Sequence, residues 1–140
     1  GYCVAPEKMM NEFRKTHQFQ TFACNHPLQM ALAEYLLDEN NYSNIGSMYQ
    51  YKRDLFNSLL KDSRFEIRPS AGTYFQLLGY KEISEEKDTA LAIKWTKDHK
   101  VSSIPVSVFY RQPVYENVLR FCFAKQDETI VAAAKILSNI

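Results

Sequence analysis

Glycine is scarce in this chain: Gly1, Gly46, Gly72 and Gly79 are the full set, so no glycine-rich loop is present to cradle a phosphate. Cysteine is scarce too. Cys3, Cys24 and Cys122 are odd in number and far apart, which supports neither a disulfide framework nor a CxxC zinc site; reduced, partly buried thiols are expected. No apolar run approaches the roughly 20 residues that cross a bilayer, and no basic-then-apolar leader opens the chain, so a cytoplasmic protein with no membrane partner is expected. A dominant charge sign is also missing. Seventeen Lys and Arg against sixteen Asp and Glu leave a net charge of +1, with the signs alternating, so there is no field able to hold nucleic acid.

What the chain does have is enough apolar material for a core. Hydrophobic residues make up 46% of its 140 positions and aromatics 14%, which suits one domain or a small domain with an appendage and excludes disorder. Gly1-Tyr2-Cys3-Val4-Ala5 reads as a buried strand with no initiator Met, as though cut from something larger. Residues 7–17 carry Met9, Met10 and Phe13 at helical spacing, and residues 18–25 look irregular. At Asn25-His26-Pro27 a capping side chain precedes a proline suited to the first helical turn. Leu28, Ala31, Leu32, Tyr35 and Leu36 then form a stripe that must be buried against a partner. Residues 38–43 are polar and aperiodic, a natural boundary or hinge.

Beyond that boundary the pattern predicts a helix with Met48, Leu55, Phe56, Leu59 and Leu60 on one side, then strands near residues 65–67 and 73–78. A helix over 88–99, strands over 101–104 and 118–123, and a helix over 127–137 complete the order. Helix, two strands, helix, two strands, helix describes an α+β unit with helices over one face of a sheet.

Arg120 is the most unusual residue. A guanidinium amid Leu119-Arg120-Phe121-Cys122-Phe123 loses hydration unless an anion meets it. Period-two geometry turns Leu119, Phe121 and Phe123 one way and Val118, Arg120 and Cys122 the other, leaving the arginine face free to line a cleft. Its planar fork suits bidentate capture of a carboxylate. On pattern alone, a structural ion pair or a solvent-facing edge strand explains it somewhat better than a ligand role. His17, His26 and His99 share no metal-ligand spacing, so no metal is assigned. Two SxxK matches, Ser58 to Lys61 and Ser84 to Lys87, lack the companion motifs of a serine–lysine site.

The segments GYCVAP, HQFQTFACNHPLQMALAEYL, PSAGTYFQL, VSSIPVSVFY and LRFCFAK, in this order, resemble the C-terminal part of class I/II pyridoxal-phosphate aminotransferases. The branch with kynurenine and bacterial methionine aminotransferases is the nearest likeness. The resemblance implies the type I aspartate-aminotransferase fold in a homodimer. Residues 1–44 would be the end of the large cofactor-binding domain and the interdomain helix, and 45–140 the small C-terminal domain. It implies that Arg120 grips the α-carboxylate of an amino acid or 2-oxo acid substrate. It also implies that Phe22 reaches across the dimer to the neighbour's pocket, unless it is only an interface core residue. Ile104 to Tyr110 would border the entrance, and Gly72 to Phe75 would stand behind the carboxylate site. The lysine that binds pyridoxal 5'-phosphate, the acid facing its ring nitrogen and its phosphate ligands have no counterpart here, so no catalytic or cofactor-binding residue is assigned and the fragment alone should be inactive. A ligand-sensing module reusing this fold and a β-lyase on the same scaffold remain alternatives.

Overall fold

The computed structural model describes residues 1–140 apart from Pro113 and Tyr115. The chain divides into two compact units, Gly1–Ser43 and Asn44–Ile140.

The first unit consists of helix α1 (Glu7–Gln20), helix α2 (His26–Tyr35) and a 3-10 turn (Glu39–Asn41). The α2 start is as its residues predict: the Asn25 side chain accepts the Leu28 N–H at 3.0 Å, and a proline lies in the first turn. Helix α1 runs three residues past His17, whose ring stacks on Phe13 with centroids 5.4 Å apart. The Asn-rich stretch is an ordered clasp, because the Tyr35 hydroxyl donates to the Asn41 carbonyl and the Asn41 amide donates back to the Tyr35 carbonyl.

None of the described residues 1–43 is buried. So few residues cannot enclose a core of their own. The predicted strand at residues 1–5 is instead irregular and largely exposed, since this unit offers it no neighbouring strand to bond. The α2 stripe exists but lies open, with Leu28 67% and Leu32 55% exposed.

The second unit has the predicted order: α3 (Ile45–Leu60), β1 (Glu66–Arg68), β2 (Phe75–Gly79), α4 (Asp88–Asp98), β3 (Ile104–Pro105), β4 (Val118–Cys122) and α5 (Asp127–Leu137). A 3-10 turn, Val106–Phe109, follows β3 directly. The strands form one antiparallel sheet in the order β1-β2-β4-β3. The third strand begins later than its residues predict, at Ile104, and Lys100, just past α4, adopts a φ of 60°. It ends at Pro105, a residue tolerated only at a sheet edge.

One sheet face carries Gln76, Leu78, Leu119 and Phe121, all buried. Phe56 and Leu60 of α3, Leu91, Ala92 and Trp95 of α4, and Ile130, Ala134 and Leu137 of α5 pack over it. Each large side chain so buried contributes roughly 1.5–3 kcal/mol, which makes this layer the source of the unit's stability. Aromatic edges lock it: Phe65 meets Trp95 at 5.7 Å and Phe121 at 6.3 Å between centroids. The architecture is α+β, with helices over one face of a small antiparallel sheet.

Candidate functional site

The opposite sheet face holds Arg120. Its strand is interior, paired to β2 at Leu77 and to β3 at Ile104, so the backbone beneath the guanidinium is fixed from both sides. Leu119 and Phe121 point into the core while Arg120 points away from it. The arginine is half-buried rather than enclosed, because the helices cover only the far side of the sheet.

Two aromatic rings flank its charge. The guanidinium carbon lies 4.6 Å from the Phe75 ring centroid and 5.1 Å from that of Phe109. Such contacts favour a cation by roughly 0.5–2 kcal/mol and hold the fork in place without consuming its N–H donors. Among the described residues no carboxylate pairs with Arg120. The edge-strand position is excluded by the pairing on both sides, and no ion-pair partner is found among the described residues. A partly desolvated guanidinium keeps its planar donors here, the geometry that bidentate capture of a carboxylate requires.

Sequence reading placed the segments of Phe75 and Phe109 near this site without assigning either ring to it. The available signal was parity: Phe75 and Leu77 share a β2 face, and the register of β2 on β4 puts that face beside Arg120. The register itself is not readable from one strand.

Phe22 lies in the first unit, between α1 and α2, and is fully exposed. The three cysteines are exposed rather than partly buried; Cys122 stands on the arginine face of β4, away from the core. In the SxxK pairs, Ser58 donates its hydroxyl to the Leu55 carbonyl and Ser84 accepts the Glu86 N–H, both local turns. Among the described residues no group of three or more His, Cys, Asp or Glu could hold a metal ion, and no helix is long and apolar enough to cross a membrane.

Pyridoxal phosphate needs a lysine amine in a sheltered cleft, an acid for its ring nitrogen and a phosphate cradle. The residues present do not fit it. No described lysine is buried, and the half-buried Lys52 is held by Asp127 at 2.8 Å. Helices α4 and α5 begin with Asp88 and Asp127, whose charge opposes a phosphate at those N-termini.

The model of the family "Aminotransferase class I and II" matches residues 1–137. The chain belongs to this family. Methionine aminotransferase of Escherichia coli (strain K12) is 42% identical over 141 residues, a match covering 100% of this chain and 36% of that protein. Kynurenine–oxoglutarate transaminase 3 of Rattus norvegicus is 30% identical, with 97% of this chain and 34% of that protein covered. Among solved structures, Escherichia coli YbdL, described as having a methionine aminotransferase function, superposes with a TM-score of 0.89 at 42% identity, covering 100% of this chain and 37% of that one. N-succinyldiaminopimelate aminotransferase of Mycobacterium tuberculosis gives 0.85 at 25% identity, with 97% and 36% covered. This member of the family thus spans about a third of the length of the curated relatives it matches. Its α+β unit is that of the type I aminotransferase C-terminal domain.

Proposed function

We propose that these residues are the C-terminal part of a pyridoxal-phosphate-dependent aminotransferase that moves an amino group between an amino acid and a 2-oxo acid. In this reading residues 1–44 close the large domain and residues 45–140 form the small domain. The cofactor and its lysine belong to the part of the protein outside this chain. The observation that carries the reading is Arg120: a guanidinium on an interior strand, flanked by Phe75 and Phe109, with no carboxylate of its own among the described residues.

The chemistry assigned to this chain is recognition. Both substrates of amino-group transfer carry a carboxylate beside the reacting carbon, and a bidentate grip on that carboxylate fixes the direction of the Cα–H bond. Arg120 would therefore serve both half-reactions equally, without moving a proton itself. The 42% identity to a methionine aminotransferase favours a donor with an apolar or sulfur-containing side chain. Phe22, fully exposed in a unit without a buried residue, fits a homodimer in which it lines the neighbour's pocket.

The test is amino-group transfer by the full-length protein with methionine, kynurenine and aspartate as donors. Transfer from methionine, weakened chiefly through KM by Arg120→Ala, supports the reading. Absence of transfer from all three donors, or an Arg120→Ala enzyme with wild-type KM, overturns it.

A further inference from the structure

Asp88 is a buried carboxylate, 4% exposed, that recognition of substrate does not use. It opens α4, and its long-range hydrogen bonds converge on one residue 19 positions away. Asp88 Oδ2 accepts the backbone N–H of Ser107 at 2.8 Å, and Oδ1 accepts the Ser107 hydroxyl at 2.7 Å. Oδ1 also accepts the Thr89 N–H at 2.8 Å. A carboxylate taken from water needs such donors, and two of the three come from Ser107, which fixes that residue in position and orientation together.

Ser107 sits inside the 3-10 turn Val106–Phe109, and its carbonyl accepts the Tyr110 N–H that closes the turn. Two residues on is Phe109, whose ring lies against the Arg120 guanidinium. That ring is itself 61% exposed, so core packing does not hold it; the backbone of the turn does. The chain of contact therefore runs from Asp88 through Ser107 to Phe109 and then to Arg120.

We propose, resting on the carboxylate-binding reading of Arg120, that Asp88 and Ser107 are positioning residues for substrate recognition: their buried bonds pin the turn that keeps Phe109 against Arg120 and so hold the guanidinium ready for its anion. Loosening the turn lets the fork swing, and the substrate then has to order it on binding. The cost appears in affinity rather than in the chemical step.

The experiment uses the full-length protein with Asp88→Asn, Ser107→Ala, Phe109→Ala and Arg120→Lys. Its first readout is the NMR resonance of the Arg120 side-chain N–H, which the neighbouring rings displace; its second is KM for methionine. Asp88→Asn and Ser107→Ala are expected to move the resonance toward its position in Phe109→Ala. They are expected to raise KM roughly two- to thirtyfold with kcat within about twofold, the scale of coupling through a contact network. On the Arg120→Lys background the same substitutions should add nothing to KM. An unmoved resonance, or a KM increase that persists undiminished on that background, overturns the inference. If Arg120→Lys raises KM and neither Asp88→Asn nor Ser107→Ala does, this inference alone falls. If Arg120→Lys leaves KM unchanged, the carboxylate reading falls and takes the inference with it. Should Asp88→Asn fail to fold, Ser107→Ala, which keeps the backbone bond, carries the test.

Discussion

Arg68 and Arg120 stand on the same row of the sheet, one on each side of Leu77, and only Arg68 is neutralised within the described residues. Arg68 reaches both oxygens of Glu66 at 3.1 Å and approaches Glu116 at 3.5 Å. Its hydrogen bonds hold the Glu66 carboxyl below the usual carboxylate range. Arg120, two strands over, has rings in place of acids. The sheet thus shows side by side what a satisfied guanidinium and an unspent one look like.

Arg120→Ala in the full-length enzyme should raise KM strongly and lower kcat/KM by about 2 to 5 kcal/mol equivalent, the range for removing one partner of a close charge pair. The fold should tolerate the change to within about 1 kcal/mol, since what it loses is aromatic contact rather than an ion pair. Steady-state kinetics and thermal melts check the two halves separately, and a large loss of stability with unaltered KM would assign Arg120 to structure.

Gly79→Ala should destabilise the second unit by about 1–3 kcal/mol, the usual cost of overpacking. A Cβ there would lie 2.7 Å from Glu66 Oε2 and 3.0 Å from Glu66 Cβ, on the directly paired residue. Glu66 cannot swing away without releasing Arg68. Adding Glu66→Ala should recover only part of the loss, because the backbone-proximal contact stays. Urea denaturation of the single and double variants measures this, and full recovery would place the strain elsewhere.

Tyr80 sets an alkaline limit. Burial, with the negative charge of Asp88 adding to it, pushes its pKa up to about 12. The hydroxyl donates to the Glu86 carbonyl at 2.9 Å. Below about pH 10 the residue is protonated in both the folded and the unfolded chain, and its contribution is complete. Between there and its folded value only the unfolded chain ionises, so stability falls as pH rises. Tyr80→Phe should show a shallower decline between about pH 10 and 12 in urea midpoints; an identical decline would remove Tyr80 as the cause.

Asp127 sets the acid side. A hydrogen bond from Lys52 at 2.8 Å, helped by one from the Tyr51 hydroxyl at 3.1 Å, holds its carboxyl below the usual range and ties α3 to the start of α5. The same bond raises the Tyr51 hydroxyl. For a lowered carboxyl the stabilisation is present above its unfolded pKa, near pH 4, and is lost as pH falls through the folded value. Asp127→Asn should therefore lower stability modestly at pH 7 and flatten the acid limb of the melting profile. A variant whose acid limb matches the parent would show that the pair contributes nothing.

Much of the secondary structure in both units was legible locally. Asn25-His26-Pro27 marks a helix start whose cap forms as expected, and residues 127–137 form a helix over the predicted range. The opposed faces of Leu119 and Arg120 follow from alternation alone. Where local reading failed, the cause was a missing or distant partner. Gly1 to Ala5 has the composition of a strand with nothing in its unit to pair with, and the stripe of α2 has no covering layer there. Phe75, Phe109, Asp88 and Ser107 reach Arg120 or its supports only through strand register and contacts that span many residues.

By itself the chain's order of residues determined most of the helices and strands, which side of each is apolar, and that one arginine sits in an apolar strand, because these depend on spacing within a few residues. Folding in three dimensions decided that this arginine lies on an interior strand, that no described carboxylate pairs with it while Arg68 has two, and that a buried aspartate holds the turn beside it. Those outcomes rest on pairings between residues distant in sequence, and no local period encodes them.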